Sequence, residues 1–258
     1  MDEHVSDDVG AAPVVVRVSG LCQGYGGTTV LRNINIDVHG GEILALIGPS
    51  GSGKTTLIST IMGMLRARSG SVHVLGVPMP DREQLGKIGF MAQADALYTR
   101  LTGLENLRFF AALDGIERCQ RTAVARSVAH VVNLEPVLGR RVAHYSGGMR
   151  RRLSLAIALI GDAPLLILDE PTVGIDPELR RQIWQELHRI ADRGRTIVLT
   201  THVMADAAQA NRVLMIRRGE VIADGSVEAL KRRYRSTDIE DAFIRAGREQ
   251  DARHSDDE

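Results

Sequence analysis

Lysine is scarce in this 258-residue chain, standing only at Lys54, Lys87 and Lys231; the other 29 of 32 basic residues are arginine. A compositional bias accounts for such a skew in general and makes each remaining lysine worth placing. Aromatic residues make up only 3%, which argues against stacking platforms for single-stranded nucleic acid. The 32 acidic residues cancel the 32 basic ones, so no basic field draws nucleic acid or anionic lipid, and no nucleic-acid partner is expected. The two cysteines, Cys22 and Cys119, have no metal or redox spacing and fit a reducing, cytoplasmic compartment. No apolar run reaches the roughly 20 residues that span a bilayer. The best candidate, Leu153 to Leu168, is broken by Ser154, Gly161, Asp162 and Pro164. Met1 to Gly10 is acidic without an apolar h-region, so no signal peptide is expected. With 44% hydrophobic residues, the expectation is a soluble globular chain of one domain and at most a subdomain.

Short β-branched runs alternate with helical periodicity. Strands are expected at Pro13–Val18, Asn33–Val38, Ile43–Ile47, Val72–Leu75, Ile88–Met91, Leu165–Leu168 and Thr196–Thr200. A hairpin pairs Arg212–Arg217 with Glu220–Ala223 around Arg218-Gly219. Val124, Val128, Val131 and Val132 share a helical face, as do Leu179, Ile183, Leu187 and Ile190. Ile43–Ile47, Leu165–Leu168 and Thr196–Thr200 are almost wholly apolar, as in parallel strands covered on both faces. Residues from about 94 to 162 lack strand signals and read as a helical insertion. The result is an α/β core with a helical subdomain. The polar ends, Met1 to Ala12 and Gln250 to Glu258, read as frayed, solvated tails.

Gly48-Pro-Ser-Gly-Ser-Gly-Lys-Thr-Thr56 follows an apolar strand and precedes the helical run Leu57–Leu65, the order that a Walker A phosphate loop requires. Gly48, Gly51 and Gly53, with Pro49, Ser50 and Ser52 between them, let backbone N–H groups turn inward at a helix N-terminus. Lys54 brings a compact charge to the β- and γ-phosphates, and the Thr55 hydroxyl, ahead of Thr56, can ligate Mg²⁺. Leu165-Leu-Ile-Leu-Asp-Glu-Pro171 delivers Asp169 at the carboxyl end of a buried strand, the edge where ligands sit in open α/β sheets. Asp169 would hold Mg²⁺ through its water shell, and Glu170 stands where it can polarise an attacking water.

Tyr145-Ser-Gly-Gly-Met149, followed by Arg150-Arg-Arg-Leu153, turns a generic nucleotide site into a specific one. With the two Walker motifs it resembles the signature of ATP-binding cassette (ABC) ATPases. Ser146 stands as the N-cap of a helix, with Gly147 and Gly148 behind it. The resemblance, over about residues 14 to 235, implies a P-loop NTPase core (RecA-like, mostly parallel sheet) with an antiparallel β subdomain and a helical signature-bearing subdomain. It also implies a head-to-tail dimer or pseudo-dimer in which each signature contacts the γ-phosphate bound by the other subunit. Tyr25, 23 residues before Gly48, matches the aromatic that stacks on adenine. Gln93 matches the glutamine that touches Mg²⁺ and the catalytic water, Asp176 the dimer-contacting aspartate, and His202 the histidine on the γ-phosphate. The other seven histidines read as structural, and Arg150–Arg152 as a solvated helix face. The expected boundaries are an acidic tail over 1–12, the ATPase domain over 13–235 with its helical part at about 94–162, and a short C-terminal helix with an acidic tail over 236–258.

Tyr145 and Met149 depart from the common Leu and Gln, and Val173-Gly-Ile-Asp176 from the Ser-Ala-Leu-Asp of importers. These forms, and Asp238-Ile-Glu-Asp-Ala-Phe-Ile244 near the C-terminus, resemble exporter ATPases of the drug-resistance, polysaccharide and natural-product class. The resemblance implies an ATP-hydrolysing subunit serving a separate transmembrane permease from the cytoplasmic face of the membrane. Gln93 to Leu113 would form the groove for a permease coupling helix, or else Leu97, Leu101, Leu104 and Leu107 simply pack the subdomain. An importer ATPase and a soluble cassette acting on ribosomes or DNA stay open; a small-molecule P-loop kinase would need neither the Ser-Gly-Gly signature nor His202.

Overall fold

A computed structural model describes residues 12–94 and 96–256, with side chains as far as residue 253. The chain opens with a long hairpin, β1 (Val14–Tyr25) and β2 (Thr28–His39), then β3 (Ile43–Ile47) and helix α1 (Lys54–Ile61). Next come β4 (Ser69–Val74), β5 (Val77–Pro78), α2 (Arg82–Leu85) and β6 (Ile88–Met91). Three helices follow, α3 (Gly103–Leu113), α4 (Arg121–Val131) and α5 (Gly147–Ala158), with two 3₁₀ turns between α4 and α5. The core resumes with β7 (Leu165–Asp169), α6 (Pro177–Asp192), β8 (Thr196–Thr201) and α7 (Met204–Ala207). It ends on the hairpin β9 (Arg212–Arg217) and β10 (Glu220–Gly225), then α8 (Val227–Arg233) and α9 (Ile239–Asp256).

Two sheets result. An antiparallel one runs β2-β1-β4-β5, and a mixed one runs β10-β9-β3-β8-β7-β6, parallel except at β10. The parallel strands β3, β7 and β8 are buried at every residue, which is why their sequences are apolar without alternation. Alternation survives in which core each side chain enters. Ile43, Ala45 and Ile47 join Leu166, Leu168, Ile197 and Leu199 in the core shared with the helices, including Trp184 and Leu187 of α6. Leu44 and Leu46 join Leu165, Ile167 and Val198 on the opposite side, with α1 and the antiparallel sheet. Successive residues of a strand point to opposite faces, so one sheet serves as the common wall of two cores.

The first strands are longer than their apolar runs suggest. Register shifts between Val18 and Gly24, with Gly20 and Asn33 at positive φ, break the period-2 pattern from which strands are read. The two-residue strand β5 carries no periodic signal at all. In the helical part Leu107 is fully buried and Leu97, Leu101 and Leu104 partly so. Among the described residues no helix is long and apolar enough to cross a membrane.

The expected frayed tail from Gln250 is corrected: α9 continues to Asp256. Gln250 is buried and donates to the Arg217 carbonyl (3.3 Å) and to Glu220 Oε2 (3.0 Å). Arg217 makes a two-pronged pair with Asp251 at 2.9 and 3.0 Å and donates to the Gly247 carbonyl at 2.7 Å. A polar segment that reads as solvated is thus clamped to the end of β9. Residues 1–11 and 257–258 of the expected tails lie outside the described residues, as do the side chains of His4 and His254. Arg217→Ala should release the last turns of α9, seen as faster amide hydrogen exchange over residues 247–256 with the β3 and β7 amides unchanged.

Candidate active site

The buried strand β3 ends at Ile47 and hands the chain to a loop that only small residues can build. A Cβ on Gly48 would lie 2.1 Å from the Ile216 carbonyl oxygen, and one on Gly53 would lie 2.5 Å from Leu31 Cδ2. Gly53 also has φ 108°, which glycine adopts without the usual cost. Helix α1 then starts with no side-chain cap and no acidic residue in its first turn, which leaves its N–H groups for an anion. The Lys54 ammonium lies across the loop, donating to the carbonyls of Gly48 (2.6 Å) and Pro49 (3.1 Å).

A cleft of about 400 Å³ opens here, lined by Val30, Ser50, Gly51, Gly53, Lys54, Thr55, Thr56, Gln93, Asp169 and Glu170. Asp169 ends β7, 4% exposed, and accepts a hydrogen bond from the Thr200 hydroxyl of β8. Glu170 follows with φ 54°, a left-handed conformation that a non-glycine residue holds under constraint. Its N–H donates to the Thr200 carbonyl (3.1 Å) and hydroxyl (3.0 Å), and its Oε1 lies 3.0 Å from His202 Nδ1. Loop, lysine, two carboxylates and glutamine therefore converge on one opening, although they follow β3, β6 and β7, and His202 after β8 joins them through Glu170. A hydroxyl (Thr55), an amide (Gln93) and a single deep carboxylate (Asp169) suit Mg²⁺, which keeps much of its water and is held largely by substrate phosphates. Ser52 is buried beneath the loop rather than in the opening.

The other expected residues lie apart from this cleft. Ser146 and Gly147 are exposed, and the Ser146 hydroxyl caps α5 by accepting from the Met149 N–H at 3.2 Å. Asp176 caps α6 from the neighbouring loop, accepting from the Leu179 N–H at 3.0 Å, and is also exposed. A Cβ on Gly148 would stand 3.4 Å from the Gly174 carbonyl, so signature and aspartate loop form one surface of their own. Tyr25, at the end of β1, is 53% exposed and does not line the cleft; Val30 does.

The ABC transporter family profile matches residues 31–173, more than half of the chain. The chain belongs to the ABC transporter family. Curated relatives of this cassette include the Nod factor export ATP-binding protein I of Rhizobium johnstonii, 39% identical over 85% of this chain and 71% of that protein. Another is the ABC transporter G family member 20 of Dictyostelium discoideum, 38% identical over 90% of this chain. The cassette spans 32% of that protein's length and 66% of the Mesorhizobium japonicum Nod factor export protein's. Among solved structures, an ATP-binding subunit of an ABC transporter aligns with a TM-score of 0.84 at 27% identity, covering 90% of this chain and 99% of that one. The dimeric cassette MJ0796, bound to ADP and Pi in a post-hydrolysis state, aligns with a TM-score of 0.75 at 26% identity, covering 82% and 98%. The cassette is an ABC ATPase with exporter-type relatives.

Two parts of the cassette's site have partners that sequence reading does not reveal. Arg150–Arg152, expected as a solvated face, is corrected. Arg152 donates to the carbonyls of Val132 (3.1 Å) and Asn133 (2.9 Å), and Arg151 turns inward against the ends of β6 and β7. Asp206, 2% exposed, accepts from the Thr172 hydroxyl and from Trp184 Nε1 at 3.1 Å. It joins the segment after Glu170 to the segment after His202. The unusual Tyr145 is buried and donates to the Val137 carbonyl at 2.8 Å, a bond that leucine cannot make.

Burial is the largest influence on the Lys54 ammonium and holds its pKa below the ordinary lysine value, against the opposing charges of Glu170 and then Asp169. The charge is complete at low pH and lost as pH rises through a value under the usual lysine range. ATP affinity should therefore weaken on the alkaline side sooner than an unperturbed lysine would allow. Equilibrium titration with a fluorescent ATP analogue, from neutral pH upward, checks this.

Proposed function

We propose that the chain hydrolyses MgATP as one of a head-to-tail pair of cassettes and drives export through a separate transmembrane permease. The observation that carries this reading is the separation within one chain of the phosphate cleft from the exposed signature and Asp176 surface. Each half is built, and a second copy turned head to tail would set the Ser146 hydroxyl and the Gly147 and Gly148 amides against the first copy's nucleotide. The dimeric form of the similar solved cassette supports the pairing, and the names of the Nod factor export relatives support the direction of transport.

In this reading the loop amides and Lys54 bind the phosphates, Tyr25 stacks on adenine, and His202 orients the Glu170 carboxylate and reaches the γ-phosphate. Thr55, Asp169 and Gln93 would hold Mg²⁺, which supplies charge neutralisation on the β- and γ-phosphates when bound. Glu170 takes up or orients the proton of the attacking water, a role typically worth ~10²–10⁴ in rate. Donors from both chains meet the charge that develops on the transferring group. Glu170→Gln should bind MgATP and sediment as a pair while turnover falls ~10²–10⁴-fold; near-normal hydrolysis would remove Glu170 from this role.

The permease is expected on the segment from Gln93 to Leu113, which ends in α3, at the cytoplasmic face of the membrane. Tyr98 packs edge-on against Phe109 (centroids 4.8 Å apart), and Tyr98, Phe109 and Leu113 remain exposed beside Phe110. Tyr98→Cys in the assembled transporter should crosslink to a membrane subunit. Crosslinks confined to ribosomal or DNA-binding proteins would favour a soluble role instead.

A further inference from the structure

The Arg151 guanidinium is placed as a junction. Its Nε donates to the Glu170 carbonyl (3.2 Å), and its Nη1 donates to the carbonyls of Ala92 (3.0 Å) and Gln93 (2.8 Å). Its Nη2 donates to the carbonyls of Asp169 and Glu170, the latter at 2.8 Å. Four backbone acceptors from the ends of two adjacent parallel strands thus meet one planar cation. Converging carbonyl dipoles are left costly without donors, and arginine, with five N–H groups in a fixed fork, can serve several acceptors at once.

We propose that Arg151 is a positioning residue for hydrolysis, setting the peptides of Glu170 and Gln93 relative to the signature end of α5. This rests on the reading that Glu170 and Gln93 act on the attacking water. Glu170 sits in a left-handed conformation at φ 54°, anchored at its N–H by Thr200 and at its carbonyl by Arg151. Without the guanidinium that carbonyl keeps only the longer bond from the Val173 N–H at 3.4 Å, a looser hold on the peptide whose conformation aims the carboxylate at His202. The same arginine lies little more than one helical turn from Ser146 along α5, too short a lever to bend. A nucleotide bound by a second copy and pressing on Ser146 therefore acts on this chain's own Glu170 through Arg151. Arg152, its neighbour, ties α5 the other way, to the carbonyls that follow α4. Adjacent arginines thus link one helix to the catalytic edge and to the helical subdomain.

The test uses the full chain and compares Arg151→Met, Arg151→Lys and Glu170→Gln for MgATP turnover, ATP affinity and melting temperature. Arg151→Met should lose about 30-fold or more in kcat, the effect of a ~2 kcal/mol barrier increase, with ATP affinity within about threefold. Arg151→Lys, with three donors on a point charge, should recover only part of the rate. Unchanged kcat in folded Arg151→Met overturns the proposal. So does a parallel fall of kcat, affinity and melting temperature, which marks a purely structural residue. If Arg151→Met does not fold, Arg151→Lys decides: reduced kcat with retained affinity supports the proposal, and wild-type kcat overturns it. Active Glu170→Gln would sink the underlying role of Glu170, whereas inactive Glu170→Gln beside normal Arg151 variants would sink the junction alone.

Discussion

The phosphate loop and the acidic strand are not neighbours in the sheet: β8 runs between β3 and β7, and the geometry of the site follows from that interposition. Strands lie ≈ 4.7–4.9 Å apart, so the loop after β3 and the carboxylates after β7 stand roughly two strand spacings from each other. That gap admits a phosphate chain while keeping Lys54 from collapsing onto Asp169 and Glu170 in a closed ion pair. The middle strand also works chemically. Thr200 of β8 holds the Asp169 carboxylate and the backbone of Glu170, and the residues after β8 bring His202 to the Glu170 carboxylate. Because the sheet is walled by apolar cores on both faces, its carboxyl edge is where these polar groups can stay hydrated or meet a ligand.

Much of this was legible in the amino-acid sequence because it depends on local chemistry. Apolar runs without alternation announce doubly covered strands, and the glycine loop, the Asp169–Glu170 pair and the Ser146 cap are each set by residues within a few positions of one another. What stayed hidden depends on contacts distant in the chain. The bulged halves of β1 and β2 lose their period where their register shifts. The last turns of α9 look like a solvated tail because Gln250 and Asp251 find Arg217 only in three dimensions. Arg151 stands in a run of arginines and Asp206 among the apolar residues Val203 to Ala208, and nothing nearby reveals that carbonyls and an indole 18 or more residues away require them.

The two faces of the cassette answer different needs. In the proposed reading the cleft gathers the groups that bind and activate, whereas the surface of Ser146, Gly147 and Asp176 is capped and exposed without touching the cleft of its own chain. The helical part carrying the signature meets the sheet through α5, so the inward arginine is a point where the two regions share hydrogen bonds.

The preference for arginine has a consequence beyond composition. Arg151, Arg152, Arg212 and Arg217 each spend guanidinium N–H groups on backbone carbonyls, and a guanidinium does not lose its proton in proteins. The internal struts of this ATPase are therefore built from a cation with no accessible titration. Lys54, among the groups that touch the substrate cleft, is instead a cation whose charge burial has made easier to remove. On the proposed reading, rising pH should therefore weaken nucleotide binding at the Lys54 loop before it uncharges the arginines of the frame.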